Sequence, residues 1–209
     1  MNVYYLSSMS PRPRTVSDEQ IILATQRVMS QLGPTKLTLA AVAKEAGLSA
    51  ATLVQRFGSK RGLMRALWAS ALGGVDDCFE VQRSSHTSAL DALLDAALMM
   101  PRGTHSPDEM ANSLAFLHID LTDPEFYPHM LVLSERTEAG YRALLDEALR
   151  RGELVKCNTA QLARAVSAIA GGSLISWGVF RTGTAERWVR ADLDMLLAPY
   201  RRKKQKRRA

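Results

Sequence analysis

The chain has 209 residues, 46% of them apolar and 23% charged, a balance that suits folding around a core and excludes a wholly disordered protein. Its net charge of +6 points only weakly to a polyanionic partner, and its two cysteines, Cys78 and Cys157, lack the spacing of a disulfide framework, a zinc site or a thioredoxin-like motif. No uncharged apolar stretch approaches the roughly 18 residues of a membrane span, and Val3 to Leu6 is too short for a secretory segment, so a cytoplasmic protein without a membrane partner is expected.

Residues 1–16 contain Pro11-Arg12-Pro13-Arg14 and show no apolar periodicity; they read as a flexible basic arm. Ser17 with Gln20 is a capping box, and Ile21, Thr25, Val28 and Leu32 recur at helical spacing, which predicts a helix over 18–32 stopped by Gly33-Pro34. Thr38 caps a short second helix over 39–46 whose apolar face is Val42, Ala43 and Ala46, closed by Gly47. Ser49 caps a third over 50–57 with Leu53 and Phe57 inward, and Ser59 restarts the chain into a fourth that carries Leu63, Leu67 and Ala71 towards Gln82, across Gly73-Gly74.

Further helices are predicted over 88–100, 107–121 and 124–151, the last broken near Pro128. Leu162, Val166, Ile169, Ser173, Trp177 and Phe180 mark a long buried helix face over 159–182, and a final helix runs over 185–198. After Pro199 the chain is too charged to pack, so 200–209 reads as a basic tail. No β-alternating run competes. The fold class is therefore all-α, divided into an arm (1–16), a small helical domain (17–65), a larger helical domain (66–199) and the tail.

Charge follows that division. Residues 1–65 carry nine Lys/Arg against three Asp/Glu, residues 66–199 carry eleven against eighteen, and residues 200–209 carry seven against none. A basic head, an acidic body and a basic tail suit a DNA-binding module joined to a domain with another task.

Two short helices meeting at a tight turn can project the second into the major groove, provided small residues occupy their crossing. Ala43 and Gly47 meet that need, Leu53 anchors the second helix, and its outward face offers Ala50, Ala51, Gln55 and Arg56. The stretch Leu37 to Ser49, with Thr52-Leu53 and Phe57-Gly58-Ser59-Lys60, resembles the TetR family of transcriptional regulators, over about residues 18–67. That resemblance implies that Thr38, Thr52 and Lys60 bond phosphates and that Ala50, Ala51 and Gln55 face base edges, with Ser49 at the start of the reading helix. Hydroxyls and a lysine near helix ends suit phosphate, while Gln pairs with adenine and Ala meets a thymine methyl. Thr38 can equally serve only as a cap and Lys60 only as a solvated residue. Where the family usually has an aromatic this chain has Val54, and Arg56 replaces its common His; Val54 loses a phosphate bond that a Tyr hydroxyl would make, and Arg56 can supply a charge-assisted one. Arg12 and Arg14 are placed to enter a neighbouring minor groove.

The resemblance further implies a homodimer through helices 159–182 and 185–198, where Gly171 to Gly178 is small and apolar nearly all round, or else an ordinary buried helix. It implies a double-stranded palindromic operator and an unidentified small-molecule effector held in the acidic domain. Met99, Met100, Phe116, Trp177 and Phe180 are apolar enough to line such a pocket, with His118 or His129 adding a polar contact, although such residues at helical spacing are more often core. No cofactor, metal or catalytic residue is expected: the chain has no G-x-S-x-G, P-loop, G-x-G-x-x-G or H-E-x-x-H, and its histidines lack ligand spacing. The function expected is a ligand-released repressor. The rival is a sequence-independent DNA-coating or architectural protein, suggested by the arm and tail and opposed by the acidic body.

Overall fold

The computed structural model describes residues 16–202 as an all-helical protein. Among these residues the elements are α1 (Asp18–Lys36), α2 (Leu39–Ala46), α3 (Ala50–Phe57), α4 (Lys60–Ser85), α5 (Ala89–Arg102), α6 (Pro107–Thr122), α7 (Tyr127–Arg150), α8 (Thr159–Phe180) and α9 (Ala185–Leu197). Side-chain caps account for most of the starts. Ser17, Thr38, Ser49, Ser59, Ser88, Ser106, Asn158 and Thr184 each accept an amide N–H from the first turn they precede, satisfying a donor the helix itself leaves open.

Several predicted features shift. Gly33-Pro34 kinks α1 instead of ending it: Gly33 takes φ 71°, ψ 179°, and helical turns resume to Lys36. The kink receives α6, since a Cβ on Gly33 would lie 2.4 Å from Asn112 Oδ1, and the Asn112 amide donates to the Ser30 carbonyl at 2.7 Å. Leu32, expected inward, is 41% exposed because it directly precedes the kink, which turns the chain. Pro128 does not break a helix; it sits in the first turn of α7, where its missing N–H costs nothing. Gly73-Gly74 pass through α4 without interruption.

The basic tail also begins later than predicted. Leu154 and Arg201 form an antiparallel bridge, Val155 N–H donates to the Tyr200 carbonyl, and Arg202 N–H donates to the Glu153 carbonyl, both at 2.8 Å. Backbone bonds hold these first arginines despite their charge, and the Arg201 guanidinium pairs with Asp194 at 2.7 Å. Lys203 to Ala209, like Arg12 and Arg14, lie outside the described residues.

Two apolar clusters hold the molecule. One joins α1 to α4 through Ile21, Val42, Leu53, Leu63 and Trp68, and extends across to Phe116 of α6 and Phe126 before α7. The other lies among α5, α7, α8 and α9, around Leu93, Leu98, Leu145, Val166 and Leu193. Burying such side chains is worth about 1.5 to 3 kcal/mol each. Contrary to the sequence expectation, α8 is long and apolar enough by composition to cross a membrane, with Arg164 its only charge. In the fold it packs between α7 and α9, and a third of that apolar stretch is buried.

Candidate nucleic-acid interface

The turn between α2 and α3 follows from two residues. Gly47 closes α2 at φ 68°, ψ 31°, a left-handed conformation that a side chain would strain, and Leu48 N–H then reaches back to the Ala43 carbonyl at 2.8 Å. Ala43 is 2% exposed and Leu53 fully buried, so α3 seats against α2 through a small residue and an anchor. The close approach continues beyond α3. A Cβ on Gly62, in the first turn of α4, would lie 1.9 Å from the Phe57 carbonyl oxygen, so only glycine lets α4 start there.

Seated this way, α3 exposes Ala50, Ala51, Val54 and Gln55 on one face, with Val54 half exposed. Three short apolar side chains and one amide carry no charge; the face can meet thymine methyls and an adenine edge but offers no cation to phosphate. The other predicted contacts are already in use within the chain. Thr38, exposed, accepts Ala41 N–H at 3.1 Å; Ser49 accepts Thr52 N–H at 3.1 Å, and the Ser49 and Thr52 hydroxyls bond at 2.8 Å. Lys60 Nζ donates to the Pro34 carbonyl at 2.7 Å. Arg56, expected to reach outward, turns back: it donates to the Val16 carbonyl at 2.6 Å and to Asp18 at 3.2 Å, tying the end of α3 to the entry of α1. That bond holds Val16, the first described residue, beside the end of α3.

A clamp that the sequence did not reveal lies one turn further on. The Arg61 guanidinium grips Asp123 in a fork at 2.8 and 2.9 Å, bonds Glu125 as well, and lies 4.9 Å over the Phe126 ring. Arg65 also bonds Glu125. Hydrogen bonds from Arg61 and the Glu125 N–H hold the Asp123 carboxyl below its usual range, and Arg65 and then Arg61 do the same for Glu125. Arg61 and Arg65 stand four apart on α4, which is legible; their partners some 60 residues on are set only by how α6 and α7 fold back.

The seven residues considered for an effector pocket do not converge. Met99 and Met100 are exposed at the end of α5, and Phe180 is 65% exposed, stacked on Trp188 at 5.4 Å, because α8 ends there. Trp177 is buried in the distal cluster with its indole donating to the Gly183 carbonyl. Phe116 belongs to the other cluster, His129 stacks on Trp68 at 6.1 Å, and His118 is exposed. An open concavity of about 370 Å³ lies instead at the α8–α9 turn, lined by Thr182, Gly183, Arg187, Trp188, Ala191 and Asp192. Among the described residues no group of three or more His, Cys, Asp or Glu is placed to hold a metal ion.

The outer faces of α8 and α9 form a separate surface. Ala168, Gly171, Gly172, Ile175 and Val179 are exposed along α8, with Ala191 and Met195 on α9. A Cβ on Gly171 or Gly172 would meet nothing within 4 Å, so these glycines leave room on the outside rather than packing within the chain.

The family model of bacterial regulatory proteins, tetR family, matches residues 21–67, the segment from the first turn of α1 to the second turn of α4. Among solved structures, a TetR transcription regulator from Haloarcula marismortui superposes with a TM-score of 0.70 at 20% identity, covering 88% of this chain and 98% of that one. A protein of Saccharomonospora viridis described as a transcriptional regulator, in complex with choline, gives 0.69 at 18% identity over 89% and 98%. A TetR-family protein from a Rhodococcus species gives 0.64 at 17% over 87% and 97%. No match is found among curated proteins.

Proposed function

We propose that the chain is a TetR-family DNA-binding regulator, a reading supported by the family match over residues 21–67 and by the fold that carries that module, and that it is a homodimeric repressor reading a palindromic operator. The observation that carries this reading is the seating of α3, with Leu53 buried beneath it and Ala50, Ala51, Val54 and Gln55 free above. One such helix reads only a few base pairs; two, related by a two-fold axis, read a site long enough to be specific. The exposed apolar stripe of α8 and α9 supplies a surface for that axis, because its glycines admit a second helix closely.

Thr38, Ser49 and Thr52 cap and steady α2 and α3, and the same exposed hydroxyl edges can accept a place beside phosphates. Lys60 and Arg56 must first release the Pro34 and Val16 carbonyls to do so. The face of α3 favours half-sites containing thymine and adenine. Release by a small molecule acting on the body would pass through α4, which is both the last wall of the reading module and a partner of α5 and α7. Choline in the Saccharomonospora relative illustrates that this fold can hold a small molecule.

Selection of bound duplexes from a random pool tests the reading. A single palindrome with two matching half-sites is expected, preferred by about 10³-fold or more over unrelated sequence. Indifference to sequence would overturn it in favour of a coating protein. On the selected site, Gln55→Ala should cost about 1 to 3 kcal/mol at one base pair per half-site; an equal loss on every sequence would place Gln55 on phosphate instead.

A further inference from the structure

Helix α4 touches both apolar clusters, and two exposed glycines stand between its halves. Its buried residues, Leu63, Met64, Leu67 and Trp68, all precede Gly73 and all join the cluster of the reading module. After Gly74 the helix is held by the other cluster: Phe79 packs against it and meets the Tyr141 ring edge-on at 5.3 Å. A Cβ on Gly140 of α7 would lie 2.4 Å from the Phe79 ring, so the two helices approach closely there.

Helix α7 crosses the same division. Arg136 donates to the Leu72 carbonyl, Arg83 to Glu147 and Arg151 to the Thr87 carbonyl, each pair 64 residues apart, so α4 and α7 run parallel and in register. Along α7, Met130 and Leu133 pack against the module cluster, whereas Tyr141, Leu144 and Leu145 belong to the other. The same offset of 64 sets the gap between Leu133 and Tyr141 opposite positions 69 to 77 of α4, with the glycines at its middle. Helix α6 changes cluster too, between Leu114 and Phe116.

Packing does not call for glycine at 73 or 74, since a Cβ on either would meet nothing within 4 Å, unlike one on Gly62 or Gly140. Glycine is the poorest helix former after proline, so the pair weakens one turn of a helix that is otherwise continuous over 26 residues. Arg136 braces that turn from outside: its guanidinium donates to the Leu72 carbonyl at 2.8 Å and lies 3.6 Å from the Asp76 carboxylate, one contact before the glycines and one after.

We propose that Gly73-Gly74 form a joint within α4, braced by Arg136, about which the reading module turns against the body, and that the play it allows sets how strictly a dimer discriminates the spacing of its two half-sites. The start of α4 lies about 20 Å from the joint at 1.5 Å per residue, so a bend of about 10° moves it by about 3.4 Å, one base-pair step. The joint follows from the fold alone and needs no ligand; its effect on spacing rests on the reading of the protein as a dimeric regulator.

The test compares the full chain with G73A/G74A and with Arg136→Gln, on the selected palindrome and on versions with one base pair inserted or removed at its centre. The alanine pair should stiffen the joint: affinity for the selected spacing stays within about twofold, while each shifted site loses about tenfold more than it does with the parent. Arg136→Gln should loosen it, so that shifted sites lose about threefold less than with the parent. A general gain in helix stability from alanine raises the melting temperature but leaves spacing preference unchanged. Amide exchange reads the joint without DNA. Amides of residues 75–78, which bond the carbonyls of 71–74, should exchange about tenfold faster than those of 64–68 in the parent, slow by about tenfold in G73A/G74A and quicken in Arg136→Gln. A spacing profile unchanged in both variants overturns the proposal, as do amides at 75–78 that are as protected as those at 64–68. If selection yields no palindrome, the regulator reading fails by itself, and the joint stands or falls by exchange.

Discussion

A methyl group at Gly62 would stand 1.9 Å from the Phe57 carbonyl oxygen, a backbone atom that cannot swing aside. Gly62→Ala should therefore push α4 off the end of α3, lowering stability by about 1 to 3 kcal/mol and weakening DNA binding beyond that loss. A thermal melt with a binding titration on the same sample checks both, and unchanged values in each would show that the approach is relaxed in solution. Asp120 on α6 offers a second residue-level test. Burial raises its carboxyl above the usual range; a hydrogen bond from Trp68 offsets part of this and Asp123 adds to it, while Oδ1 has no partner. A raised folded value means that the folded chain holds this proton more tightly, so ionisation removes stability as pH rises from about 4 upward. Asp120→Asn should melt higher than the parent at neutral pH, with the gain disappearing below about pH 4.

At the scale of elements, the join between the reading module and the body is partly apolar and partly ionic. Phe116 and Phe126 complete the apolar cluster of α1 to α4, and Asn112 secures the kink of α1, so α6 is built into the module rather than merely adjacent to it. The Arg61 and Arg65 clamp on Asp123 and Glu125 adds direction without much burial, and its side chains remain open enough for salt to screen them. Because both carboxyls are held below their usual range, the clamp contributes stability above about pH 4 and loses it as pH falls through their folded values. Arg61→Gln should speed amide exchange in the first turns of α4 at neutral pH and make no difference once both carboxyls are protonated. Exchange that is identical at neutral pH and low salt would show the clamp to be idle.

Across the whole molecule, apolar surface and charge divide the labour. Val179 is 72% and Met195 70% exposed, on the stripe that α8 and α9 present together. If this stripe is the proposed two-fold contact, a carboxylate within it would be buried against apolar surface of the second copy, so Val179→Asp should shift the protein to monomer in sedimentation while leaving its helicity intact. Operator affinity should fall with it, since each monomer keeps only one reading helix. A dimer that survives this change would place the axis elsewhere.

Periodicity, caps and breakers are local, and the sequence by itself determined what depends on them: the all-helical class, the order of the helices, and the reading module, whose Thr38, Gly47, Ser49 and Leu53 act within a turn or two of where they stand. Val54 and Gln55 were legible as outward for the same reason. Only the tertiary structure decided the rest, because it depends on contacts far apart in the chain. Arg56 looked free for phosphate until the fold brought Val16 within 2.6 Å, and Gly33 looked like a stop until α6 pressed Asn112 into the kink. Phe180 belongs to an apolar helical face, yet it stays exposed because α8 ends there, with only Trp188 stacked against it. The basic tail is plain in the sequence as charge; that its first arginines, Arg201 and Arg202, are held against residues 153–155 follows from backbone bonds some 45 residues apart in sequence.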